Sequence, residues 1–354
     1  MARQRIATPL FVGSIPTSAS NFHDKEQTMS RILTGIQPSG EIHLGNYFGA
    51  VEPCLRRQGD PSADLLVFLA DYHALTTVHD GDQLRSNSEL LAEALLAFGL
   101  DPERVAVFRQ SDVPEVTELA LLLSMVTGMG LLQRAHSYKD KVAKGITPTV
   151  GLFIYPVLMA ADILIYQSDF VPVGRDQVQH VEMARDMATR FNEDFHPTFK
   201  LPEAVVSEAP RVPGIDGQKM SKSHGNTISP FDRGDCLRAK IAGIKTSSAP
   251  YGEPLPTENC HPHALLKLVC DDEMDEITGF FRTGRRGSQK FGYGHAKQIL
   301  AEKIEDRFAE ADERRRHLVA NPIEIMQALD NGAGRAQRIA QKTLEKCRAV
   351  CGLG

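Results

Sequence analysis

The sequence predicts an α/β protein, with an open parallel sheet over roughly its first two-thirds and an all-helical domain after it. Three observations carry this. Short apolar runs of strand length alternate with stretches of helical periodicity from Arg31 to about residue 193. Those runs are apolar almost throughout, as in strands covered on both faces. After about residue 230 the strand signals fade, while helical periodicity continues.

In chain order, residues 1–28 hold Arg3, Arg5 and many small hydroxyl residues, with no acid before Asp24. Pro9 and Pro16 break any long amphipathic helix there, so residues 1–29 read as a flexible extension; a targeting segment and a start at Met29 are the alternatives. The first strand is Arg31 to Thr34. It breaks at Gly35, turns through Gln37, Pro38, Ser39 and Gly40, and re-enters helix-like sequence at His43 to Asn46. "LLVFLAD" (Leu65 to Asp71) and "RVAVFRQ" (Arg104 to Gln110) read as buried parallel strands, followed by helices at about 82–98, 115–126 and 175–193. Beyond residue 230, "PHALLKLV" and "AKQILAEKIEDRFAEADERRRHL" have helical spacing. The implied division is residues 30–228 and 229–354, with a last helix that can pack back on the first domain.

Composition narrows the function classes. A chain of 354 residues that is 42% hydrophobic and 24% charged is ordinary for a water-soluble globular protein. The longest apolar stretch, "VGLFIYPVLMAADILIY", is interrupted by Pro156 and Asp162, so no membrane span is expected. Six cysteines without a close CxxC pair point to no disulfide framework and fit a reducing cytoplasm. With a net charge of −5, a nucleic-acid partner would need a local basic patch.

Two stretches carry chemistry. The corner "RILTGIQPSGEIHLGNY" joins a strand end, glycines that let backbone approach a ligand, and a helix start whose free N–H groups favour anions. The loop "IDGQKMSKSHGN" sets Lys219 and Lys222 three residues apart, flanked by Ser221 and Ser223. Either alone is common. Together they supply two sides of a polyphosphate site, one from fixed dipoles and one from cations.

In this order the two stretches resemble the HIGH and KMSKS elements of class I aminoacyl-tRNA synthetases. "HLGN" (His43 to Asn46) is similar to the first, and "KMSKS" (Lys219 to Ser223) matches the second letter for letter. More narrowly, "TGIQPSGEIHLGNY", "YPVLMAADILIY" and "VPVGRDQVQHVEMARDMATRFN" resemble the bacterial-type tryptophanyl-tRNA synthetase family, from about Arg31 to the C-terminus. The resemblance implies a Rossmann-like catalytic domain, a helical anticodon-binding domain and a cytoplasmic homodimer. The reaction it implies is ATP-dependent activation of L-tryptophan followed by transfer to tRNA(Trp), with Mg²⁺ bridging the phosphates and no metal ligand from the protein.

By the same resemblance, Gln37, Pro38, Ser39, His43, Gly45 and Asn46 bracket ATP. Gly174, Arg175, Asp176 and Val212 lie at its ribose and adenine, and Lys219, Met220, Ser221, Lys222 and Ser223 form the mobile loop. Lys219, Lys222 and Lys141, with His43 and Gln37, are the catalytic candidates. Asp162, in an apolar helical run where an ionised carboxylate is costly, is implied to accept the indole N–H, since an indole nitrogen can only donate. A carboxylate paired to a neighbouring basic group is the plainer reading of the same residue. Tyr155 and Gln177 are implied to hold the α-amino group, and Met159, Val171 and Val173 to line the ring slot.

Two departures stand out. Leu33 occupies a strand position where the family often has an aromatic residue. Cys260 sits in "ENCHPHALLKL", which resembles the start of an iron–sulfur region in some relatives, but the later CxxC is missing, so no cluster is expected. The stretch Arg282 to Lys297 carries Arg282, Arg285, Arg286, Lys290 and Lys297 and no acid; with Phe291 and Tyr293 available for base stacking, it is the candidate tRNA contact. The rival readings are a tyrosyl enzyme of the same fold, a non-charging RNA-binding paralogue and a small-molecule adenylyltransferase.

Overall fold

The computed structural model describes residues 29–135, 149–206, 211–270 and 272–353. Five parallel strands form the central sheet: β1 (Ser30–Ile36), β2 (Ala63–Leu69), β3 (Ala106–Arg109), β4 (Phe170–Val173) and β5 (Glu203–Val206). Their order across the sheet is β3-β2-β1-β4-β5. The chain steps outward from β1 to β3, then returns to the other side of β1 for β4 and β5. The order therefore reverses between β1 and β4, the place where open α/β sheets take their ligands. Register between these two strands is carried by Ile32↔Phe170 near their starts, so their carboxyl ends border a crevice.

The expected strands are present with moved ends: the first runs on through Gly35 to Ile36 instead of breaking there, the second begins two residues earlier at Ala63 and ends at Leu69, and the third is trimmed to Ala106–Arg109. The strands β4 and β5 are additional, at four residues each. The helices between are α1 (Leu44–Asn46), followed by a π turn at Tyr47–Val51, α2 (Glu52–Arg57), α3 (Asp71–Ala74), α4 (Gly81–Ala97), α5 (Glu115–Val126), α6 (Met129–Gln133), α7 (Val150–Ile165) and α8 (Val178–Asp194). The helix expected from residue 175 begins as a 3₁₀ turn at Arg175–Gln177. Asp80 caps α4 by accepting from the backbone N–H groups of Asp82 and Gln83.

After the sheet the chain is helical: α9 (Gly234–Ala242), α10 (His261–Val269), α11 (Met274–Thr283), α12 (Tyr293–Arg307), α13 (Ala309–Ala320) and α14 (Pro322–Cys351). The long helical pattern expected there breaks between α12 and α13 at Phe308, whose side chain is buried. One hydrophobic cluster runs from Leu44 and Val67 through Leu265 and Phe291 to Leu329, so buried contacts cross residue 229 continuously.

The helix α14 returns across the sheet edge. Its small residues Gly332, Ala333 and Ala336 are buried, and Gln337 Nε2 donates to Asp112 O at 2.6 Å. A Cβ on Gly332 would sit 2.0 Å from Val107 O. Gly332→Ala should therefore lower the denaturant midpoint. Helix propensity alone favours Ala by about 1 kcal/mol, but forcing a methyl into this backbone contact costs about 1–3 kcal/mol. An unchanged midpoint would show that α14 yields at no cost.

Candidate functional site

A cavity of about 430 Å³ lies at the switch point between β1 and β4. Its walls include Leu33, Gly35 and Gln37 from β1 and its exit, Tyr155, Met159 and Asp162 from α7, and Val171, Val173, Gly174 and Gln177 from β4 and the turn after it. It thus brings together all six residues assigned by resemblance to the amino-acid substrate. Local structure explains the shape. A Cβ on Gly35 would lie 2.4 Å from Phe68 Cζ, so the missing side chain lets the Phe68 ring from β2 lie against β1. Phe68 lines the cavity and stacks on Phe108, so an aromatic wall comes from the neighbouring strand, beside Leu33.

Asp162 is 1% exposed and is one of the residues that line the cavity. It is not bare. His73 Nε2 lies 2.8 Å from Oδ2, and Gln110 Nε2 donates to Oδ1 at 2.8 Å and to Oδ2 at 2.9 Å. Burial pushes its pKa up, and the His73 and Gln110 hydrogen bonds oppose that shift. The plainer reading of Asp162 therefore holds, since the carboxylate is paired with His73, and the residue also belongs to the cavity wall. His73 and Gln110 carried no signal in the sequence.

Tyr155 Oη lies 2.7 Å from His180 Nε2, and Gln177 Nε2 donates to Asp176 Oδ2 at 2.8 Å. Arg175 and Asp176 are exposed on the turn after β4.

The phosphate corner lies beside this cavity. Gln37 lines the cavity, whereas His43 is buried next to it and does not. His43 caps α1: its Nδ1 accepts from Asn46 N at 3.3 Å, and the Asn46 side chain accepts from His43 N at 3.3 Å. With Nδ1 accepting in this cap, the neutral imidazole carries its proton on Nε2, which stays a hydrogen-bond donor. Burial first, then the charges of Lys222 and Lys219, hold its pKa down to about 4, against an ordinary 6.5. Because the folded value lies below the unfolded one, the stabilisation is complete above about 6.5 and is lost as pH falls towards 4. His43→Asn, which keeps a capping side chain, should flatten the decline in denaturant midpoint between pH 7 and pH 5. An undiminished slope would place that titration elsewhere.

The lysine loop is knotted around Asn226, which is 1% exposed. Its Oδ1 accepts from Ser221 N at 2.7 Å, and its Nδ2 donates to Asp216 Oδ1 at 2.7 Å and Lys219 O at 3.2 Å. Asn226 closes the sequence motif without standing out in it. The loop reaches the corner through Lys222, whose Nζ donates to Ser39 O at 3.0 Å and Ser39 Oγ at 3.1 Å. Burial lowers the pKa of this half-buried ammonium. Lys219 and Ser223 are exposed, the latter with its Oγ 2.9 Å from Ser221 Oγ. Val212 and Met220, expected at the nucleotide, are buried in the large hydrophobic cluster. A Cβ on Gly45 would meet His43 at 2.9 Å, so the corner is closely built. Lys141 lies outside the described residues.

The basic stretch is partly reassigned. Arg285–Arg286 and Gln289–Lys290 pair as a small hairpin, β6 and β7, turning at Gly287 with φ +62°. Arg282, Arg285, Arg286 and Lys290 are exposed. Phe291 is fully buried among aromatic neighbours and presents no face to a base. Tyr293 Oη lies 2.7 Å from Ser247 Oγ, and Lys297 Nζ donates to Ala242 O and Ile244 O at 2.6 and 2.8 Å. A linear pattern of Arg, Gly and aromatic residues cannot distinguish the side chains that turn inward.

Among the described residues no three His, Cys, Asp or Glu side chains gather as a metal site, and no helix is long and apolar enough to cross a membrane.

Comparison with known proteins completes the picture. The model of the family described as class I tRNA synthetases (W and Y) matches residues 25–309. The tryptophan–tRNA ligase of Campylobacter jejuni (strain RM1221) is 45% identical over 325 residues, covering 91% of this chain and 100% of the relative. That of Fusobacterium nucleatum is 45% identical over 329 residues, covering 92% and 98%. A crystal structure of tryptophanyl-tRNA synthetase from Campylobacter jejuni, complexed with ADP and tryptophan, superposes with a TM-score of 0.84 at 45% identity, covering 91% of this chain and 100% of that one.

Proposed function

Because the chain belongs to the class I tRNA synthetases of the tryptophan and tyrosine family, we infer that it is a tryptophan–tRNA ligase, forming tryptophanyl-adenylate from tryptophan and ATP and passing the tryptophanyl group to tRNA(Trp). The observation that carries tryptophan over tyrosine is Asp162, a buried carboxylate on the wall of a largely apolar cavity at the sheet's switch point. Such an acceptor suits an indole N–H.

In activation, a tryptophan carboxylate oxygen bonds to the α-phosphorus of ATP as the bond to the pyrophosphate oxygen breaks. Charge gathers on the leaving phosphates, so positioning and cations dominate. Lys222 and Lys219 are assigned to those oxygens, with Lys141 as a third cation. Ser39 and the backbone from Gly45 to Asn46 hold the other side. Mg²⁺ enters with ATP as part of the substrate, held by its phosphates. His43 stays neutral at pH 7 and orders the helix start. The Michaelis complex places tryptophan in the cavity, its amino group against Tyr155 and Gln177. Aminoacylation of tRNA(Trp) with labelled tryptophan tests this reading; a chain that forms the adenylate and never charges tRNA would be a paralogue of another function.

Residues 229–354 are assigned to the tRNA anticodon, and the Arg285–Lys290 hairpin to a phosphate contact. Changing Arg285 and Arg286 together to Ala should weaken tRNA binding, reduce its salt dependence by about two phosphate contacts, and leave adenylate formation intact. An unmoved affinity would leave the hairpin a solvated face.

A homodimer is the assembly best supported. Leu121 and Met125 on α5, Met129 on α6, and Val150 and Ile154 on α7 are large apolar side chains left exposed, and Leu121 and Ile154 line a second cavity of about 490 Å³. That cavity shares His73, Thr76 and Tyr155 with the substrate cavity, so a partner seated there would brace the amino-acid site. Sedimentation as a monomer at micromolar concentration would refute it. A cytoplasmic location accords with tRNA charging.

A further inference from the structure

We infer that Gln110 is a positioning residue for indole recognition, holding the Asp162 carboxylate in its charged form and leaving one oxygen lone pair for the substrate. The inference rests on the reading of Asp162 given above. It comes from donor and acceptor accounting at two buried side chains among the described residues. Gln110 is 1% exposed and follows β3 in a 3₁₀ turn at Gln110–Asp112. Its Oε1 accepts from Tyr72 N at 3.1 Å, which fixes the amide with its nitrogen towards Asp162. The Nε2 group then donates to both carboxylate oxygens.

A carboxylate offers about four acceptor positions. Among the described residues, Oδ2 takes Gln110 and His73, and Oδ1 takes Gln110. Since Asp162 lines the cavity, Oδ1 retains the acceptor position for an indole N–H. A neutral amide suits this task. A cation in its place would neutralise the carboxylate and weaken its pull on a neutral donor, whereas an apolar residue would leave the charge unsupported at full burial.

The surroundings make that support necessary. Among the described residues, the titratable groups about Asp162 are His73 and Asp71 from α3 and Tyr166, the C-cap of its own helix. The Asp71 carboxylate, also buried, accepts from Ser111 N and Ser111 Oγ and disfavours charge on Asp162. A second donor beyond His73 therefore opposes the upward shift that burial and Asp71 impose.

Two variants pull the pH profile in opposite directions. Gln110→Met keeps volume and removes both hydrogen bonds. Gln110→Glu keeps shape and sets a second carboxyl against Asp162, so that one proton is shared near neutral pH. The readout is kcat/KM for L-tryptophan in pyrophosphate exchange from pH 5 to pH 9, with 1-methyl-L-tryptophan, which lacks the N–H, as probe. For Gln110→Met we expect KM for tryptophan to rise about tenfold or more, KM for ATP to stay put, and the acid limb to move to higher pH. For Gln110→Glu the loss should appear on the alkaline side, where both carboxyls ionise. In both, preference for tryptophan over the methylated probe should fall. Unchanged limbs and an unchanged preference would overturn the inference and leave Gln110 a satisfied core amide. Asp162→Ala, which removes the acceptor, separates the two claims: if it too leaves the preference intact, the reading of Asp162 fails; if it alone abolishes the preference, only the role of Gln110 fails.

Discussion

Lys222→Ala is expected to lower the rate of tryptophan activation about 10²–10³-fold while leaving tryptophan affinity nearly unchanged. The size follows from where charge develops. Expelled pyrophosphate gains charge during bond breaking, and a cation gripping it acts more strongly in the transition state than on bound ATP. Lys222 is already carried to the corner, donating to Ser39 while half-buried. Polyphosphate oxygens would replace the Ser39 oxygens as partners, so little reorganisation precedes the step. Single-turnover adenylate formation, with tryptophan binding measured separately, reads the two effects apart. Equal losses in rate and tryptophan affinity would show that Lys222 only pins the loop to the corner.

Asp162→Ala is expected to lose most of the discrimination between tryptophan and phenylalanine, along with much of the activity. A site built around a substrate N–H leaves its acceptor unpaired when an analogue lacks that donor, a penalty on the order of several kcal/mol. Tyrosine should be rejected too, because its hydroxyl reaches a different point of the cavity. The substitution also strips His73 and Gln110 of an acceptor, so some loss of stability accompanies it, about 1–3 kcal/mol. The decisive quantity is therefore the ratio of activation efficiencies for the three amino acids, which a general loss of stability does not move. Ratios equal to wild type would make Asp162 a structural carboxylate.

The legibility of this site in the sequence followed the range of the interactions. The strand at Arg31, the Gly-rich corner and the lysine loop were readable because glycine, lysine and apolar runs act locally, through backbone freedom and charge. Asp162 was readable because a carboxylate in an apolar helix is costly and demands a reason. Its partners were not: His73 and Gln110 stand 89 and 52 residues away along the chain, just past apolar strand runs that say nothing of what their polar ends meet. Asn226 was hidden for the opposite reason, as one of many polar residues in a polar loop. The strands β4 and β5 were missed because four residues, one of them Pro172, are too few to show a pattern. The break at Phe308 and the inward turn of Phe291 depend on which neighbours a ring meets, and that is settled by packing.

The measurement that bears most directly on the whole account is amino-acid-dependent exchange of pyrophosphate into ATP, run with the intact chain against each of the twenty amino acids. The account predicts strong exchange with tryptophan, with tyrosine and phenylalanine lower by orders of magnitude and the rest at background. Exchange led by tyrosine, or none with any amino acid, would contradict it.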